Sequence, residues 1–249
     1  MKLRKITFKK QPVTEEIIKE ALYACYENIA FSTFPYIQYK LSSSVKTLSQ
    51  YNSGNCIALS LFLKRYLKVN YKIKSYIIPA TVPSIFRVEG TPDICHVSLL
   101  IPMTTTTYSI VDPAFYFLEP MVARDFESHT IDSMNIHKQQ HVPIHFVQEN
   151  DAVRCYFQKE DPWFYYTKEV LDPDVSIGCH FIRQKPEPFL CKTMVLSNGD
   201  IYKKYHLKEE DQQFIVIKDH VEVYRGDKNT MPSLLQNELR IYLYKYFKT

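Results

Sequence analysis

Glycine is scarce in this chain: Gly54, Gly90, Gly178, Gly199 and Gly226 are the only five in 249 residues, so neither a GxGxxG nor a GxxxxGK[ST] phosphate cradle can be formed. Nucleotide-binding enzymes of those two types are excluded. No CxxC pair occurs, which argues against a zinc site built on thiolates. No run approaches the ~18 consecutive apolar residues of a membrane span, and Met1-Lys2-Leu3-Arg4-Lys5 is not followed by an apolar signal core. The expectation is a cytoplasmic chain with no membrane partner. Neither sign of charge dominates, 31 Lys+Arg standing against 27 Asp+Glu, and the lysines are scattered rather than blocked, so nucleic acid is not an expected partner. Six cysteines without a signal peptide are too few for a disulfide scaffold. With 45% hydrophobic residues, the chain has enough apolar surface to bury a core.

Two amphipathic helices are legible in the first third. Thr14 is a natural N-cap, followed by Glu15 and Glu16 in the first turn and by Ile17, Ile18, Ala21, Leu22 and Cys25 at helical spacing up to about Asn28. A second helix starts at Cys56 after the turn Asn52-Ser53-Gly54-Asn55, with Leu59, Phe62, Leu63, Tyr66 and Leu67 on one face. The texture then becomes β, from Tyr71 to Ile78, from Ile94 to Ile101 and from Thr107 to Asp112. Residues 113 to 153 carry Pro113, Pro120, Pro143 and four of the eight histidines (His129, His137, His141, His145), and read as loop with short strands. Those histidines, without evident acidic partners, read as a solvated loop rather than a metal site. The last third shows strands around Lys192 to Leu196, a hairpin from Phe214 to Tyr224 turning at Lys218-Asp219-His220, and a closing helix. That helix is expected to be capped by Thr230, with Pro232 in its first turn, and to bury Leu234, Leu235, Leu239 and Leu243.

Cys56 lies where a thiol is most easily activated, at a helix start whose dipole and free N–H groups stabilise a thiolate. The same amides could form an oxyanion hole. Forty residues on, His96 interrupts the apolar strand Ile94-Cys95-His96-Val97-Ser98-Leu99-Leu100-Ile101, where an imidazole requires a polar partner. Asp112 follows after sixteen more. The loop Pro102 to Thr107 between the two strands is centred between residues 104 and 105, which sets His96 across from Asp112 to within one residue of register. Nucleophile, base and orienting carboxylate thus come in the order Cys, His, Asp. Singly, a helix-start cysteine or a strand histidine is more often a buried core residue; the combination points to catalysis. Cys25 falls on an apolar helical face, Cys95 faces away from His96, and Trp163-Phe164-Tyr165-Tyr166 reads as a core strand rather than a base-stacking platform.

Gly54-Asn55-Cys56, His96-Val97-Ser98-Leu99 and Val111-Asp112-Pro113-Ala114-Phe115 resemble the papain-like Cys-His-Asp superfamily, which includes arylamine N-acetyltransferases and transglutaminase-like enzymes. Residues 181 to 189, Met194 to Gly199 and the chain end Leu239-Arg240-Ile241-Tyr242-Leu243 are similar to the C-terminal part of the acetyltransferases. The resemblance implies an α+β, papain-like fold. Its parts would be a helical bundle carrying the cysteine (1–70), a central antiparallel β-barrel carrying His96 and Asp112 (71–178), and a C-terminal α/β lid (179–249). It also implies transfer of an acyl group from acetyl-CoA or another acyl-CoA to a small-molecule amine, through a Cys56 thioester and without a metal. Phe115, Tyr116 and Phe189 would line the substrate pocket. The same triad would serve a transglutaminase-like amidase or protease, and a catalytically silent binding module is a third reading.

The chain departs from the acetyltransferase pattern RGGxCxE, whose Arg and Glu positions are Asn52 and Ala58 here and whose first glycine is Ser53. In place of the family's DVGFG stretch, which approaches the CoA phosphates, stands Asp112-Pro113-Ala114-Phe115-Tyr116. Side chains at 114 and 116 are expected to crowd that approach.

Overall fold

The computed structural model describes residues 12–83, 87, 89–90, 94–124, 126–157, 163–167 and 188–243. Residues 181–187, Cys179 and the expected boundary at residue 178 lie outside the described residues. Helix α1 (Glu15–Asn28) starts as expected, with Thr14 Oγ1 accepting from Ile17 N–H at 3.4 Å, and buries Ile18, Ala21, Leu22, Cys25 and Tyr26. Strand β1 (Ala30–Ser32), the short helix α2 (Phe34–Ile37), α3 (Ser44–Tyr51) and β2 (Ser53–Gly54) lead to α4 (Cys56–Tyr71). The β texture expected from Tyr71 begins later. α4 runs through Tyr71, Lys72 takes a left-handed φ of 57°, and Ile73 N–H returns to the Leu67 carbonyl at 3.1 Å, a C-terminal closure sealed by buried Ile73. Leu63 and Leu67, fully buried, each contribute about 2 kcal/mol relative to exposure.

The central sheet is antiparallel and eight-stranded. Its strands are β3 (Tyr76–Thr81), β4 (Ile94–Pro102), β5 (Tyr108–Val111), β6 (Met121–Ala123), β7 (Ser128–Asn135), β8 (Gln140–Gln148), β9 (Ala152–Phe157) and β10 (Trp163–Thr167), in the spatial order β6-β5-β4-β3-β10-β9-β8-β7. Its two edges meet through the segment before β6: Phe117 bridges Ser133, Leu118 N–H donates to the Asp132 carbonyl, and Met134 N–H donates to the Tyr116 carbonyl. The sheet thereby curls into a nearly closed barrel, which removes exposed edges.

Residues 113 to 153 are not loop-rich, since β7 and β8 form a long hairpin. Pro143 obscured it in the sequence. Pro143 faces Asp132, whose own N–H goes to Glu119 and carbonyl to Leu118, so no ladder bond to β7 is lost there. The expected lack of acidic partners also fails: His141 sits between Asp132 on Nδ1 and Asp200 on Nε2, the latter at 2.9 Å. His141 and His145 belong to one strand, where residues four apart stand roughly 13 Å from each other, too far to share an ion. Among the described residues no group of three or more His, Cys, Asp or Glu could hold a metal ion, and no helix is long and apolar enough to cross a membrane.

A second sheet has the order β14-β13-β12-β11-β1-β2, formed by β11 (Phe189–Val195), β12 (Ile201–Glu210), β13 (Gln213–Lys218) and β14 (Val221–Gly226) with the N-terminal strands. The hairpin turn at Asp219 and His220, both at positive φ, is where the pattern put it. The last helix, α5 (Ser233–Leu243), packs Leu235, Leu239, Tyr242 and Leu243 against Ala30, Phe34, Leu207, Phe214 and Val216. Two expectations for it fail. Leu234 is 75% exposed, because the buried stripe is set by Leu235 and its i+4, i+7 and i+8 neighbours. Thr230 is not its cap: the hydroxyl is spent on Tyr224 and Asp227, and the helix begins after Pro232.

Candidate active site

Cys56 is the first residue of α4, and Asn55 before it is the N-cap. The Asn55 Oδ1 accepts from Ile57 N–H (3.2 Å) and Ala58 N–H (3.4 Å), while the Asn55 carbonyl accepts from Leu59 N–H (3.1 Å). These bonds narrow the expected oxyanion hole. Of the first-turn amides, only that of Cys56 itself keeps no acceptor among the described residues.

His96 on β4 and Asp112 just beyond β5 come together, with Nε2 donating to Oδ2 at 2.5 Å. The ladder pairs Leu99 with Val111, so Asp112 continues it opposite Ser98 rather than His96. The two residues are diagonal neighbours on one face, and the near-direct pairing expected from the loop centre is off by one step along that face. Asp112 lies past the strand because Asp-Pro opens a 3-10 turn, Pro113–Phe115, and Oδ1 caps its amides at Ala114 (3.0 Å) and Phe115 (3.3 Å). The Tyr166 hydroxyl adds a second donor to Oδ2 at 2.8 Å. Each hydrogen-bond partner of the carboxylate among the described residues is a donor, and the residue is fully buried.

The Cys56 thiol lies near enough to act on the imidazole electrostatically. Burial by itself would push His96 down, but the Asp112 carboxylate and the Cys56 thiol outweigh it and bring the imidazole up to about 10. Cys56 and His96 are only 3% and 2% exposed, so they interact with little screening. Imidazole and carboxylate are hydrogen-bonded, and the thiol shares their buried site. A thiol beside an imidazole oriented by a carboxylate is an arrangement suited to moving a proton off the thiol and onto a leaving group.

The three aromatic residues expected to line the pocket differ in position. Phe115 lies against the His96 ring at 4.8 Å between centroids and against Phe164 at 5.4 Å. Tyr116 takes a left-handed φ of 51°, which turns its ring onto Tyr26 at 5.7 Å. Phe189 stacks on Phe31 at 5.6 Å, and Phe31 pairs with Gly54 in the β1–β2 register, two residues before Cys56. None of the five described cysteines is in a disulfide.

Sequence reasoning did not single out Tyr166, Phe31 or Tyr36. Tyr166 belongs to the aromatic run read as a core strand; Phe164 and Tyr166 are indeed buried, but the hydroxyl on Asp112 leaves no trace in an apolar pattern. Tyr36 joins Asn55, Ser44 and Thr47 in a buried polar cluster behind Cys56. No spacing rule connects those four positions.

The chain shares the fold of the arylamine N-acetyltransferases, α+β with the antiparallel barrel at its centre. Among solved structures, a Bacillus cereus arylamine N-acetyltransferase described as having a Cys-His-Glu catalytic triad superposes with a TM-score of 0.62 at 14% identity, over 93% of this chain and 92% of that one. The Salmonella typhimurium enzyme gives 0.58 at 17% identity, over 92% and 86%. The Mycobacterium marinum enzyme in complex with CoA gives 0.57 at 12%, over 94% and 89%. No family model and no curated protein sequence matches the chain. At these identities the likeness is one of fold.

Proposed function

We propose that this protein is a cysteine-dependent acyltransferase of the arylamine N-acetyltransferase kind, with Cys56 as nucleophile, His96 as base and acid, and Asp112 as orienting carboxylate. The observation that supports the reading is the buried His96–Asp112 hydrogen bond, with Cys56 at a helix N-terminus close enough to raise the imidazole. In the first half-reaction the Cys56 sulfur attacks the carbonyl carbon of an acyl thioester. The new carbon–sulfur bond replaces the donor's, and the departing thiolate takes the proton held by His96. In the second, an amine attacks the Cys56 thioester, His96 removes the amine proton, and the Cys56 sulfur leaves with the bonding pair. In each tetrahedral intermediate the oxyanion is offered the Cys56 amide.

Acyl-CoA is the donor the fold suggests, and the loop after Asp112 bears on how it would be held. The Ala114 and Phe115 amides are taken by Asp112 Oδ1, and those of Tyr116 and Phe117 point to the Pro113 and Asp112 carbonyls. These four amides do not fit a phosphate cradle. The donor is therefore defined by its thioester, and its phosphates would have to be recognised elsewhere.

The test is intact mass after incubation with acetyl-CoA and no acceptor, for wild type and Cys56→Ala. An acetyl adduct that is lost in the variant and discharged by an added arylamine is the expected result. No adduct, with Cys56 still rapidly alkylated, would shift the reading to another acyl donor or to a transglutaminase-like amidase; no adduct and an inert thiol would favour a binding module.

A further inference from the structure

We propose that Tyr36 is a positioning residue for the nucleophile, one that makes the Cys56 backbone amide the oxyanion donor; the inference rests on the acyltransferase reading above. The Tyr36 hydroxyl is a hub. It lies 2.9 Å from Asn55 Oδ1, 3.2 Å from Asn55 N, 2.8 Å from Ser44 Oγ and 3.2 Å from Thr47 Oγ1. Ser44 Oγ donates to the same Asn55 oxygen at 3.1 Å. Tyr36, Ser44, Thr47 and Asn55 are all buried, and no charged side chain takes part in these bonds. They stand on α2, α3 and the turn before α4, so the hub ties three elements to the residue that precedes the nucleophile.

The geometry around the hub is selective. With its oxygen clamped by two hydroxyls, the Asn55 carboxamide can occupy only the Ile57 and Ala58 amides, which leaves the Cys56 N–H as the first-turn donor available to substrate. Gly54 is what permits the approach: a Cβ there would stand 2.9 Å from the Tyr36 hydroxyl, 2.7 Å from Thr47 Oγ1 and 2.4 Å from Ala58 Cβ. The positions at which the resemblance would put an Arg and a Glu hold Asn52 and Ala58. A neutral cluster, rather than an ion pair, holds the start of this helix, and its bonds act in a dry site where they restrict motion strongly.

A paired reaction separates this role from a general structural one. Acylation of Cys56 passes through a carbonyl oxyanion, whereas alkylation by iodoacetamide is a displacement at a saturated carbon with no oxyanion. Both need the same thiolate. In Tyr36→Phe of the full chain, acylation by p-nitrophenyl acetate, followed as Cys56 acetylation by mass, is expected to fall about tenfold or more, while alkylation stays within about twofold. Asn55→Ser, which keeps a helix cap but not the carboxamide, should show the same split.

Equal losses in the two reactions would mean that the effect lies on the thiolate or the fold, and would overturn the proposal, as would no loss in either. If Tyr36→Phe does not fold, the Ser44→Ala, Thr47→Val double variant removes the hub's other partners and is judged by the same criterion. A wild-type protein that alkylates at Cys56 but is not acylated by the ester would refute the acyltransferase reading itself, a result distinct from a wild type that acylates and a Tyr36→Phe that shows no split.

Discussion

Tyr166 and His96 donate to the same oxygen of Asp112, at 2.8 and 2.5 Å, from strands on either side of β3. The carboxylate is thus held by β10 as well as by its own turn, and its position over the imidazole depends on both. Tyr166→Phe keeps the buried ring and removes one donor. Acyl transfer is expected to fall several-fold with the fold retained, because the remaining bonds still hold Asp112. Asp112→Asn should cost far more, on the order of a thousandfold or beyond, since an amide in that place no longer favours the tautomer and charge His96 needs. Single-turnover acetylation of Cys56 measures both, and wild-type rates in the Asn variant would remove Asp112 from the chemistry.

Gly54→Ala puts a methyl 2.4 Å from Ala58 Cβ, a distance that carbon atoms do not tolerate, in a backbone held by β1. A loss of about 1–3 kcal/mol is expected in denaturant unfolding. Ala58→Gly in the same chain should restore part of that loss despite the helix penalty of glycine, which a double-mutant cycle would reveal as coupling. Purely additive losses would mean that the strain falls elsewhere.

The imidazole of His96 stands near 6.5 when unfolded and at about 10 when folded, Asp112 and Cys56 overcoming the effect of burial. A folded-state value raised in this way stabilises the protein fully below 6.5, and the contribution disappears as pH rises through about 10. The stability advantage of wild type over His96→Gln should therefore be largest in mild acid and shrink steadily toward pH 10. Urea unfolding at a series of pH values would show it. An advantage independent of pH would mean that His96 is not held as the charged partner of Asp112.

Lys192 behaves in the opposite sense. It is buried, and its ammonium donates to the Tyr26 (2.8 Å) and Glu27 (2.9 Å) carbonyls at the end of α1, yet burial lowers it from 10.5 to about 8. A lysine depressed by folding favours the folded state above 10.5, and that contribution is lost as pH falls through about 8. Relative to Lys192→Met, wild type should gain stability between these values. Unfolding midpoints that track each other across the interval would refute it.

The boundaries of α1 and the start of α4 were legible because local chemistry decides them. Thr14 caps with its own side chain, Asn55 does the same before Cys56, and the apolar residues that follow repeat at 3.6-residue spacing. The β4–β5 hairpin was legible to within a step for a similar reason, since a short loop leaves little freedom in register. The β7–β8 hairpin was not: Pro143 reads as a breaker unless the neighbouring ladder is known. The exposed face of Leu234 was likewise hidden, because two registers of one amphipathic helix differ only in what lies opposite.

Sequence by itself determined the residue types, the order Cys56, His96, Asp112 and the parity that puts the last two on one face of a sheet. Tertiary structure alone decided that Tyr166 reaches Asp112, that Tyr36 clamps Asn55, and that Tyr116 turns inward onto Tyr26. The physical reason is range. Caps, periodicity and hairpin register act over a few residues, whereas a hydroxyl 54 positions from its carboxylate meets it only when β10 is inserted between β3 and β9.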